Sequence, residues 1–186
     1  TSFTRIIVVL HFVRSALGTQ TSPPNQVLIG IALFLTLFIM APVMTQINKD
    51  CIQPYDKGKL TQEEALNAGL KPIRKFMFEQ TNRKDIRLFM EIEKQSNDVS
   101  IEKEDEIPTL VLIPAFMISE LRIAFIIGFL IYLPFIVIDM VVASTLMSMG
   151  MMMLPPTTIS MPFKILLFVL ADGWNLVIGQ LVKTFY

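Results

Sequence analysis

Charge is segregated along this chain. Of its 32 Asp, Glu, Lys and Arg residues, 24 fall between Lys49 and Glu106, and the stretches on either side carry almost none. Apolar runs of that extent must be covered by lipid or by other apolar helices. Composition agrees: 53% hydrophobic against 17% charged residues excludes an ordinary soluble domain. The formal net charge is zero, so nothing calls for nucleic acid or an acidic substrate. The one cysteine, Cys51, rules out an internal disulfide and reads as a small inert thiol. The chain begins at Thr1 rather than Met. The expectation is a processed or truncated product, with any secretory signal outside it.

Three divisions follow. Residues 1–44 predict an N-terminal apolar helical hairpin. Its first arm, Phe3–Leu17, is interrupted by Arg5, His11 and Arg14 and reads as the tail of a longer segment. His11 has no carboxylate or cysteine neighbour and takes a packing or hydrogen-bonded role. "GTQTSPPNQ" is a turn by composition. The second arm, Val27–Met44, runs 18 residues without a charge, about the minimum for a bilayer crossing. Residues 45–108 predict a polar helical insert of three short amphipathic helices. One is capped by Thr61 with Glu64 and stopped at Gly69; one starts at Pro72 and turns Phe76 and Met77 inward. The third is capped at Asn82, with Ile86, Phe89 and Met90 on one face. Ser96–Glu106 reads as an acidic loop. Residues 109–186 predict C-terminal apolar hairpins with a Met-rich loop at 147–161. Leu110–Gly150 holds only Glu120, Arg122 and Asp139 as charges, and its length suits two antiparallel helices or one long bent pair. Pro42, Pro114 and Pro134 predict kinks. The fold class is all-α, and charges inside kinked apolar helices imply an oligomer that buries them.

Glu120 and Lys164 each stand alone in an apolar run. An unpaired buried charge is costly, so the economical expectation pairs them, within or between subunits. Arg122 is a rival partner for Glu120, and a polar rim would remove the need for pairing. Asp139 and Asp172 are weighed as a proton relay, without a histidine to support one. Six of the twelve methionines lie between Met147 and Met161. Core filling, copper(I) binding and a pliable apolar seal all suit thioethers. Gly150, Pro155 and Pro156 favour the seal, because they take the methionines off a helix and onto a loop. No catalytic, nucleotide or zinc motif appears, so no enzyme and no cofactor is expected.

"TSFTRIIVVL", "PPNQVLIGIALFLTLFIM", "MGMMMLPP", "PFKILLFVLADGW" and the final "FY" resemble the FliP family of flagellar export proteins, to which the SctR proteins of virulence secretion systems are related. The resemblance covers essentially the whole chain, insert included, and is weakest over Ser96–Glu106. It implies a subunit of the type III export gate in the bacterial inner membrane, at the flagellar basal body, with the insert in the periplasm. It implies a homo-oligomer, expected as a pentamer, assembled with FliQ and FliR in a helical complex raised largely out of the bilayer plane. Other export-apparatus membrane proteins and lipid would surround it, and unfolded flagellar subunits would pass through its channel. It implies a methionine gasket at Met151, Met152 and Met153 and an intersubunit salt bridge between Glu120 and Lys164. The alternatives are a copper(I) transporter built on the methionines, or a scaffold subunit with the channel elsewhere.

Overall fold

A computed structural model describes residues 1–93, 107–151 and 154–186; the Ser96–Glu106 loop lies outside the described residues. Every regular element among them is helical. In order these are α1 (Phe3–Ala16), α2 (Asn25–Ile47), a π-helical turn (Asn48–Ile52), α3 (Gln53–Asp56), α4 (Gln62–Gln80) and α5 (Arg83–Ile92). After the insert come α6 (Thr109–Ser148), α7 (Pro156–Leu170) and α8 (Gly173–Lys183).

The apolar runs form longer helices than their composition predicts. The second run does not stop at Met44: α2, the π-helical turn and α3 make one helical stretch, Asn25–Asp56, of 32 residues. Leu110–Gly150 forms no hairpin. It is a single 40-residue helix, α6, that passes through both Pro114 and Pro134. Each proline removes only one N–H from the ladder, and Gly128, the one glycine in the helix, is held helical with the Phe12 ring packed where a side chain would stand. Both stretches are apolar and long enough to cross a membrane. α7 and α8 form a third, broken candidate, bent by 65°. At the break Asp172 is left-handed, with φ 49°. Gly173 follows it because the Phe168 ring leaves no room for a side chain: a Cβ there would lie 2.4 Å from ring carbons.

The chain forms two compact units. The first comprises residues 1–4 and 36–122 and holds the polar insert. The Thr61 cap is present as its sequence predicts. The Thr61 hydroxyl accepts from the Glu64 N–H, and the Glu64 carboxylate accepts from the Thr61 N–H at 2.9 Å. The predicted stop at Gly69 and start at Pro72 do not occur, and α4 runs through both. Gly69 packs against the Cys51 thiol, which donates to the Ala65 carbonyl at 3.0 Å, and Pro72 is buried. Tertiary packing therefore overrides two helix-breaking residues. Asn82 caps α5, with Ile86 and Met90 buried and Phe89 half-buried. Phe76 of α4 meets Phe116 of α6 with ring centroids 6.3 Å apart.

The second unit comprises residues 5–35 and 123–186. Val13, Ala16 and Leu17 of the α1 end pack with Phe135 of α6 and Phe168 of α7, flanked by Trp174 of α8. Phe168 and Trp174 stack edge to face at 5.2 Å. Arg5 is buried. It donates to the Thr184 carbonyl at 3.1 Å just past α8 and lies 3.9 Å over the Phe185 ring. A cation at a helix C-terminus completes orphan carbonyls and meets the negative end of the dipole.

The Thr61 amide and hydroxyl hold the Glu64 carboxyl below its usual range, the amide contributing most. A depressed carboxyl stabilises the fold fully above its unfolded value, and that contribution is lost as pH falls through the folded value. Hydrogen-exchange protection at the first turn of α4 is therefore expected to fall in that acid window. A Glu64→Gln chain should show no such step.

Candidate functional site

The α6–α7 junction gathers most of the residues singled out in the sequence. α6 ends in a Schellman arrangement. The Gly150 N–H bonds the Met147 carbonyl at 3.1 Å, and the Met151 N–H bonds the Leu146 carbonyl at 3.0 Å. Gly150 sits at φ +74°, where a side chain would be strained. Pro155 is extended and precedes α7, and Pro156 takes its first position, where a missing N–H costs nothing. Met149, Met151, Leu154 and Pro155 therefore lie between two helices, off helical spacing. Met147, Met149 and Met151 are exposed at 62%, 69% and 43%. They are not core filler within this chain. Met152 and Met153 lie outside the described residues.

About ten residues from this loop on either side, a buried polar cluster ties the two arms together. The Lys164 ammonium of α7 donates to Asp139 Oδ2 of α6 at 2.6 Å. The Ser160 hydroxyl donates to Asp139 Oδ1. Lys164 is 3% exposed and Ser160 fully buried, so the carboxylate compensates a desolvated cation. In its own chain Lys164 thus has Asp139 as a partner, which the charge-economy argument passed over in favour of Glu120. A signal was present: Asp139 and Lys164 are nearly equidistant from the Gly150–Pro156 break, so an antiparallel hairpin sets them opposite each other. Asp139 is committed to this pair, and Asp172 accepts from Asn175 at 3.0 Å beside the α7–α8 break.

Glu120, in the first unit, is fully buried, so neither it nor Lys164 reaches a polar rim. Arg122 is not its partner by ion pairing; it donates to Asp85 Oδ1 at 2.6 Å. Asp85 Oδ2 accepts from the Ser119 hydroxyl at 2.6 Å, and Ser119 Oγ accepts from the Asn82 N–H at 2.9 Å. This network pins the start of α5 to α6. Sequence reasoning missed it because Asp85 sits within a charge-rich window where exposure is the usual state.

A family model described as the FliP family matches residues 1–181. The flagellar biosynthetic protein FliP of Bacillus subtilis (strain 168) is 55% identical over 185 residues, covering all of this chain and 82% of that protein. The FliP of Pectobacterium carotovorum subsp. carotovorum is 50% identical over 186 residues, again covering all of this chain and 71% of that one. The FliP of Aquifex aeolicus (strain VF5) is 49% identical over 185 residues, with 77% of its length covered.

Asp139→Asn should strand the buried ammonium and cost about 3–5 kcal/mol. Replacing Asp139 and Lys164 together by leucine and methionine should recover most of that loss. Thermal unfolding of the detergent-solubilised protein measures both. Equal losses in the single and double variants would mean that the pair is not what the site depends on.

Proposed function

Because the chain belongs to the FliP family, we propose that it is a channel-forming core subunit of the flagellar type III protein export gate. It is a transport subunit and not an enzyme. It sits in the bacterial inner membrane at the flagellar basal body, with residues 45–108 on the periplasmic side. Several copies, five on the pentamer expectation, assemble with FliQ and FliR, and unfolded flagellar subunits pass through the shared channel. The observation that carries this reading is the α6–α7 junction. It presents exposed methionines on a loop that Gly150, Pro155 and Pro156 hold off both helices.

In this reading Met151, Met152 and Met153 of each copy converge around the channel axis. Unbranched thioether side chains have no fixed outline, so a ring of them closes a hole of irregular shape. An apolar constriction also dewets and blocks ions. The same side chains re-pack around an extended polypeptide. The Asp139–Lys164 clamp fixes the base of the hairpin, so that compliance stays in the loop. Lys164 has three N–H donors and gives one of them to Asp139. Those remaining are available to Glu120 of a neighbouring copy, as the intersubunit pair requires.

Replacing Met151, Met152 and Met153 by alanine should leave assembly intact and open an ion leak, read as conductance of the reconstituted complex in a planar bilayer. A variant as tight as the parent would remove the gasket reading. For the intersubunit pair, Glu120→Lys should lower the yield of oligomer. Lys164→Glu should restore it only when Asp139→Asn removes the carboxylate already beside position 164. Size-exclusion chromatography reads the outcome, and no restoration in the triple variant would count against the pair.

A further inference from the structure

A buried cation in the second unit has only neutral acceptors among the described residues. Arg14, near the end of α1, is 8% exposed. Its guanidinium donates to Asn25 Oδ1 at 2.6 Å, to the Pro23 carbonyl at 3.3 Å and to His11 Nδ1 at 3.0 Å. All three acceptors are neutral, and among the described residues no carboxylate pairs with it. Lys164 and Arg122 both have one. A guanidinium donates only, so His11 Nδ1 accepts in this contact and the proton of the neutral ring sits on Nε2.

This cation lies at the rim of an open apolar groove of about 520 Å³, a volume within the usual range for sites that bury a small molecule. Ile7, Val8 and Phe12 of α1, Leu28 and Ile29 of α2, and Phe125 of α6 form the walls, and His11, Arg14 and Asn25 supply the polar end. Asn25 also starts the 32-residue stretch that is apolar and long enough to cross a membrane, so apolar chains of lipid are at hand to fill the groove.

We propose that this groove binds one anionic phospholipid, its phosphate on Arg14 and His11 and an acyl chain along the Ile7–Phe12–Ile29–Phe125 wall. The pairing supplies the missing counter-charge with a charge-assisted hydrogen bond, for which the planar guanidinium suits a phosphate. The apolar tail covers Ile29 and Phe125, which stand 43% and 57% exposed. A zwitterionic lipid fills the same walls but brings its own cation, so the site selects for net negative charge.

The test uses the full-length protein in nanodiscs of mixed phosphatidylglycerol and phosphatidylcholine, with retained lipid counted by native mass spectrometry. The parent should keep phosphatidylglycerol in preference. Arg14→Gln should weaken that retention about tenfold, a change the size of one charged hydrogen bond. Ile29→Trp leaves the arginine in place and fills the groove; it should abolish retention of both lipids and guards against a misfolded Arg14 variant. Equal retention of the two lipids by the parent would overturn the proposal. So would retention that survives Ile29→Trp. A photo-crosslinker at position 29 that labels a neighbouring protein subunit and no lipid would also overturn it, and would assign the groove to a subunit carboxylate.

Discussion

Uncovered apolar surface governs this molecule. Within the most hydrophobic window of the Asn25–Asp56 stretch only 22% of the residues are buried in the chain, and within that of α6 only 11%. Phe34, Phe129 and Leu170 stand open at 75%, 60% and 77%. Such helices have no interior of their own and borrow one from lipid and neighbouring helices. A 40-residue helix reaches about 60 Å, roughly twice the hydrocarbon thickness of a bilayer. A bilayer cannot cover all of α6 along its length, and the remainder calls for protein. The proposed multi-subunit gate meets that demand directly.

Against so much apolar surface, the few buried charges define fixed points. Arg5 holds the end of α8, Asp85 holds α5 to α6, and Asp139 with Lys164 holds the two arms of the α6–α7 hairpin. Each of these groups makes at least one charge-assisted hydrogen bond within its own unit, which offsets part of the cost of burying charge. Between the arms, the described residues of the methionine loop make no comparable ion pair. A tethered base beneath unbranched thioether side chains is the arrangement the proposed seal calls for.

Local signals were legible in the sequence, and tertiary ones were not. The Thr61–Glu64 cap, the Asn82 cap and the end of α6 before Gly150, with Met149 and Met151 off the helix, all formed as read, because each depends on residues a few positions apart. Gly69 and Pro72 misled: their cost in a helix interior, about 1 and about 3 kcal/mol, is set against packing on Cys51 and burial, which no local pattern encodes. The long apolar run was read for its prolines, yet α6 passes through both of them and through Gly128, where Phe12 packs close. At the candidate site, desolvation identified Lys164 as needing a carboxylate. Choosing Asp139 required the hairpin register, which only the length of α6 makes plain. The Arg14 groove left no trace in the sequence beyond an arginine and a histidine in an apolar segment.

Everything functional turns on whether the methionine loop faces the path of an exported chain. A photo-reactive amino acid at position 151 of the assembled gate, with an export substrate stalled in transit by a folded fusion, addresses this directly. Crosslinks to the unfolded stretch of the substrate are expected, absent when no substrate is engaged. Crosslinks that reach only lipid or another gate subunit, with the substrate demonstrably trapped, would contradict it.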